Sequence, residues 1–126
     1  MNKLTIALVL LLAACGTTAQ IFRDSPEQLQ TEKTFDLCVA YGLAHTPPIL
    51  SELQRRNAIR PEFLNAVQEH HIQLGMSSCE AVSAWYRPQS VNRTVTAHGE
   101  SEQWVYSRGQ YVYLDGGFVT GFQDSE

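Results

Sequence analysis

The sequence predicts an α+β fold, in which N-terminal helices precede a helix packed on a three- to four-stranded antiparallel meander sheet. Apolar residues recur at helical spacing only as far as Pro88. From residues 91–123 the pattern becomes short β-branched and aromatic runs, divided by Gly-containing pairs. Between residues 34 and 88, prolines and a Ser-x-x-Glu pattern mark where one helix ends and the next begins.

Taken in order, Phe35, Leu37, Cys38, Val39, Tyr41 and Ala44 suit a mostly buried helix, which Pro47-Pro48 prevents from continuing. Ile49, Leu50 and Leu53 give a second helix its apolar stripe, with Glu52, Arg55 and Arg56 expected outside and a stop near Asn57. Pro61 fits the first position of a third helix, in which Phe63, Leu64, Val67 and Ile72 keep helical spacing up to a stop at Gly75. Ser77 with Glu80 forms a capping box for a fourth helix, whose Ala81, Val82 and Trp85 are expected to face inward before Pro88. Beyond it, Arg108-Gly109 and Gly116-Gly117 read as two-residue hairpin turns, because Gly accepts the positive φ such turns need.

Pairing 107 with 110 and 115 with 118 divides the sheet into two faces. Trp104, Tyr106, Tyr111, Tyr113, Phe118 and Phe122 would share one face, and Val105, Val112, Leu114 and Val119 the other. Either face could be the one the helices cover, since Val and Leu are as readily buried as aromatic residues. If the aromatic face is outside, its six members are candidate partner-binding residues, because Trp and Tyr give contact area at low entropic cost.

Upstream of the folded part, Lys3 precedes an apolar run over residues 4–14 that ends Leu12-Ala13-Ala14-Cys15-Gly16. The run is shorter than the roughly 20 residues that span a bilayer. A charged start, a short apolar stretch and small residues at the end are the marks of a signal peptide, and the ending resembles the lipobox of bacterial lipoproteins. The resemblance implies removal of residues 1–14 and lipidation of Cys15, with acyl chains holding the domain at a membrane surface. Gly16 stands where an Asp resembles an inner-membrane retention signal, so the expected location is the outer membrane, facing the periplasm. Residues 15–31 are polar, without a sustained apolar period, and are expected to be the lipidated terminus and a flexible tether. The domain then comprises a helical region at 32–74 and a helix-plus-sheet region at 75–126.

Without the leader, eight basic residues stand against thirteen acidic ones, a net charge of −5. That disfavours nucleic acid as a partner. Cys15 aside, Cys38 and Cys79 remain in an oxidising compartment, either bridged or as two separate buried thiols.

The order Gly75-Met76-Ser77, a helix holding Glu80 and Val82, Pro88, then Glu102-Gln103-Trp104-Val105-Tyr106 and a Tyr-rich hairpin resembles the SmpA/OmlA (BamE-like) family of outer-membrane lipoproteins. The resemblance covers roughly residues 72–123. It departs at Tyr86, where the family carries Gly, and nothing upstream of Gln68 has a counterpart. It implies a domain similar to one repeat of the β-lactamase inhibitor protein, two helices on a three-stranded antiparallel sheet with the helix-free face turned to partners. It therefore places the aliphatic face inside. It also implies a non-catalytic accessory subunit or adaptor of an envelope complex, or alternatively an inhibitor or immunity factor acting on a periplasmic enzyme or toxin.

No enzyme is expected. Adjacent His70 and His71 point about 100° apart on a helix, whereas chelating pairs sit at i and i+4. There is no Gly-x-Ser-x-Gly elbow, His-Glu-x-x-His motif or phosphate-binding Gly loop. Ser83, His98 and Ser107 have no spacing that suggests a triad, and Asn92-Arg93-Thr94, which matches a eukaryotic glycosylation pattern, reads as strand. No cofactor, metal or small-molecule substrate is expected; the partners are a protein of the cell envelope and the membrane itself, through the lipid.

Overall fold

The computed structural model describes residues 18–125. Six helices precede four strands: α1 (Thr18–Ile21), α2 (Pro26–Leu29), α3 (Thr34–Leu43), α4 (Pro47–Arg55), α5 (Pro61–Gln68), α6 (Ser78–Trp85), β1 (Ser90–Thr96), β2 (Gly99–Val105), β3 (Tyr111–Asp115) and β4 (Phe118–Gln123). The α+β class and the meander order β1-β2-β3-β4, antiparallel throughout, match the expectation from sequence.

Residues 18–31 correct the expectation of a tether. Ser25 and Gln28 form a reciprocal capping box with Pro26 at the helix start, and Ile21 and Leu29 are buried in the core. Arg56 fixes this segment by donating to the Leu29 carbonyl at 2.9 Å and the Glu32 carbonyl at 2.7 Å. Glu52, expected on the outside, is therefore buried, and it accepts from Arg55 Nε at 2.8 Å and Arg56 Nε at 2.7 Å. Arg56 of α4 thus faces the carbonyls of residues 29–32 rather than solvent.

Backbone chemistry sets the helix ends. After α4, Asn57 takes φ 54° while the Ala58 N–H reaches the Leu53 carbonyl and the Asn57 N–H the Gln54 carbonyl. This is the Schellman pattern. His70 ends α5 the same way, at φ 60°, with His71 bonded to Ala66 and His70 to Val67. The third helix thus stops at Gln68, short of the expected Gly75, and Ile72 is buried from a loop. Phe35 on α3 and Ala44 just past its end, both expected inside, are exposed.

α3 and α6 form the centre of the helical layer. Leu37 to Tyr41 of α3 and Glu80 to Ala84 of α6 are buried. The two helices are joined by a Cys38–Cys79 disulfide, with Cα atoms 5.2 Å apart, and by the Ser83 hydroxyl donating to the Cys38 carbonyl at 3.2 Å. Of the two arrangements the sequence left open for the thiols, the bridge is the one found.

The sheet corrects the expected division into faces, and two bulges are the reason. The turn at Arg108-Gly109 forms with φ 62° and 73°, and Gln110 N–H meets the Ser107 carbonyl as expected. An extra residue then enters at Tyr106, whose N–H also bonds Gln110 O, so that Val105 pairs with Tyr111 and Trp104 with Val112. A one-residue slip moves a side chain to the opposite face. Trp104 consequently joins Val112, Leu114 and Val119 on the side that the helices cover, and is 3% exposed. A second shift, between Tyr113 and Leu114 on β3, pairs Val112 with Phe122 and moves Phe122 off the helix-free face as well.

Candidate functional site

Of the six aromatic residues expected to share a face, the structure keeps three together. Tyr111 pairs with Val105, Tyr113 with Gln103, and Phe118 with Asp115, all on the side of the sheet away from the helices. Tyr113 and Phe118 are 36% and 52% exposed, and the Tyr111 and Tyr113 rings lie 6.5 Å apart at an interplanar angle of 22°. Exposed aromatic area of this kind, with polar tips, is the composition of interfaces rather than of an ordinary solvated sheet.

The other three do different work. Trp104 is core, and its indole N–H donates to Glu102 at 2.7 Å. Tyr106, leaving the ladder at the bulge, turns back to the helices: its ring meets Trp85 edge-on at 5.4 Å, and its hydroxyl donates to the Tyr86 carbonyl at 2.8 Å. Burial pushes the Tyr106 phenol well above its ordinary range, so it stays a donor. Phe122 is 40% exposed on the helix side of β4.

Polar residues around the exposed aromatics are held by cross-strand hydrogen bonds. Asn92 donates to Gln103 at 3.0 Å, Ser101 to Asp115 at 2.6 Å, and the Tyr113 hydroxyl to Gln123 at 3.2 Å. Side chains already fixed in the free protein lose little entropy when a partner arrives. At the β4 rim the Arg60 guanidinium lies 4.6 Å from the Phe63 ring centroid and 5.9 Å from that of Phe118. Its position is set by fully buried Glu80, to which Arg60 Nη2 donates at 2.7 Å.

His45 and His70 are built into the helical layer rather than gathered round a ligand. His70 Nδ1 lies 2.9 Å from the Ala84 carbonyl and His45 Nε2 3.0 Å from the Ser83 carbonyl, at the C-terminal end of α6, with the two rings stacked at 4.7 Å. His71 points elsewhere, 3.6 Å from Glu69. Ser83 is spent on the Cys38 carbonyl, and His98 and Ser107 lie at opposite ends of β2. Among the described residues, no three His, Cys, Asp or Glu side chains gather as metal ligands would. The expected lipidation of Cys15 and removal of residues 1–14 lie outside the described residues.

Sequence reasoning missed Arg60, Glu80 and the His45–His70 stack as organising groups. Glu80 was legible only as a cap; nothing in its spacing from Arg60 shows that a loop brings them together. Comparison of the chain with models of protein families, with curated proteins and with solved structures gave no match.

Proposed function

We propose that this chain is an outer-membrane-anchored periplasmic lipoprotein that acts as a non-catalytic, protein-binding accessory subunit in envelope assembly. The observation that carries the reading is half-buried Tyr111 with exposed Tyr113 and Phe118 on a sheet face that none of the described helices covers, framed by polar side chains already hydrogen-bonded to each other. Adjoining, partly exposed Tyr rings such as Tyr111 and Tyr113 are common at protein interfaces. The Leu12-Ala13-Ala14-Cys15 ending supports the anchor. The Cys38–Cys79 bridge supports an oxidising compartment.

The SmpA/OmlA resemblance supports the same role. At its point of departure, Tyr86 adopts φ 67°, a left-handed conformation that Gly takes without strain. Purification of the full chain from detergent-solubilised envelope tests the proposal: a stable multi-protein assembly is the expected companion. Recovery of a single enzyme whose activity falls when bound would make the protein an inhibitor instead.

A further inference from the structure

The two edges of the sheet are treated differently. Along β4 the edge is closed by the chain itself. The Gly75 N–H donates to the Val119 carbonyl at 2.9 Å, the Val119 N–H to the Met76 carbonyl at 2.8 Å, and the Ser78 N–H to the Gly117 carbonyl at 3.0 Å, with Met76 fully buried beneath the sheet. A turn at Leu74-Gly75 that leads into a single bridge between Ser77 and Phe118, with the Met76 side chain buried, is therefore how this sheet ends. Among the described residues, β1 at the other edge has no such cover: all seven of its residues are exposed, and half its backbone groups point away from β2.

Edge strands are usually protected by charge, proline or brevity. β1 is long and rich in Val and Thr, and its one charged residue, Arg93, is drawn back over β2 to Glu100 at 2.9 Å and Glu102 at 3.8 Å. Beside it, on the helix side, runs a groove of about 550 Å³ lined by Phe35 of α3, Val82 of α6, and Val91 and Trp104 of the sheet. Phe35 and Val91 are 46% and 47% exposed there. Arg87 lines the same groove at the start of β1 and, among the described residues, has no carboxylate within ion-pair distance.

We propose that β1 and this groove receive an extended segment of a partner protein, which adds to the sheet as a fifth strand, seats an apolar side chain against Phe35, Val91 and Trp104, and places a carboxylate on Arg87. Backbone pairing supplies affinity in such strand addition, and the alternate side chains supply selectivity. This edge and groove are a second contact surface, on the helix side, separate from the helix-free face of the proposed function. Arg87, without a carboxylate partner among the described residues, gives the occupant its charge, and the exposed Phe35 and Val91 give it its apolar anchor.

The test uses the full chain in detergent and a short synthetic peptide alternating Thr with Val and ending in Glu. Fluorescence anisotropy should show saturable binding. N-methylation of the peptide amides along one edge should weaken it by about tenfold or more, and methylation of the other edge should leave it unchanged. Arg87→Ala, or Lys for the terminal Glu, should weaken binding severalfold, and amide chemical shifts should move along residues 90–96. No binding, or binding indifferent to which edge is methylated, would overturn the proposal. So would a concentration-dependent dimer of the chain alone that is lost when Val91 and Val95 are changed to Lys, since the occupant would then be a second copy. Envelope purification is independent of these measurements, so either reading can fail without the other.

Discussion

Gly42 of α3 lies directly against the Val82 carbonyl of α6, and a Cβ at position 42 would collide with that oxygen and approach Tyr86 Cα to 3.2 Å. The two helix backbones are therefore in contact at this crossing, with the disulfide and the Ser83–Cys38 hydrogen bond along the same interface. Gly42→Ala should separate them and cost about 1–3 kcal/mol, as overpacking does, despite the higher helix propensity of Ala. Urea unfolding midpoints of the two proteins measure it, and an Ala variant as stable as the parent would show that the helices have room to move.

The disulfide closes a loop across a sequence separation of 41, between the two helices at the centre of the helical layer. Chain entropy puts its contribution near 4 kcal/mol for a loop of that size. Cys38→Ala with Cys79→Ala should lower the melting temperature clearly. Alkylation of the unfolded, unreduced protein should find neither thiol.

Stability should also report the sheet's orientation. Trp104→Ala removes a buried ring and should cost about 3–5 kcal/mol, whereas Tyr113→Ala on the helix-free face should change stability by about 0.5 kcal/mol or less. Equal losses at the two positions would contradict the register that the bulge at Tyr106 produces.

Much of this architecture is legible in the chain because its signals are local. Pro47, Pro61 and the Ser77–Glu80 box mark helix starts wherever they occur, and Gly109 and Gly116-Gly117 mark turns. What was not legible depends on residues distant in sequence or on single insertions. The bulge at Tyr106 and the shift between β3 and β4 have no compositional mark, yet they move Trp104, Tyr106 and Phe122 off the face, so the six-residue aromatic face reduces to Tyr111, Tyr113 and Phe118. Likewise, Ile21 and Leu29 are too sparse to give a period, and their burial becomes visible only once Arg56 and the α2 carbonyls are seen together.

Acid should loosen the junction between α2 and α4. Hydrogen bonds from Arg55, with Arg56 adding to them, hold the Glu52 carboxyl at about 2, below its ordinary 4.5. A carboxyl depressed in the folded state contributes stability that is present above the unfolded value and lost as pH falls from about 4.5 towards 2. Unfolding midpoints should decline through that window, and Glu52→Gln should flatten the decline while lowering stability at neutral pH. An unchanged profile in the variant would assign the acid sensitivity to other groups.

The anchor has its own test. Only the thiol at position 15 can take the diacylglyceryl group, so Cys15→Ser should abolish incorporation of radiolabelled palmitate and leave an unprocessed precursor. Unchanged labelling of the variant would rule out lipidation at Cys15.

The helix-free face is proposed to bind a protein of the cell envelope. The most direct measurement of that binding is photocrosslinking in intact cells, with a benzoyl-phenylalanine introduced at Tyr113 on that face or at exposed Gln54 on α4. One discrete crosslinked protein is expected from position 113, absent from position 54 and lost when Tyr111→Ala and Phe118→Ala are added to a chain that remains folded. Equal crosslinking from both positions, or none from 113 while the chain is present at its normal level, would contradict it.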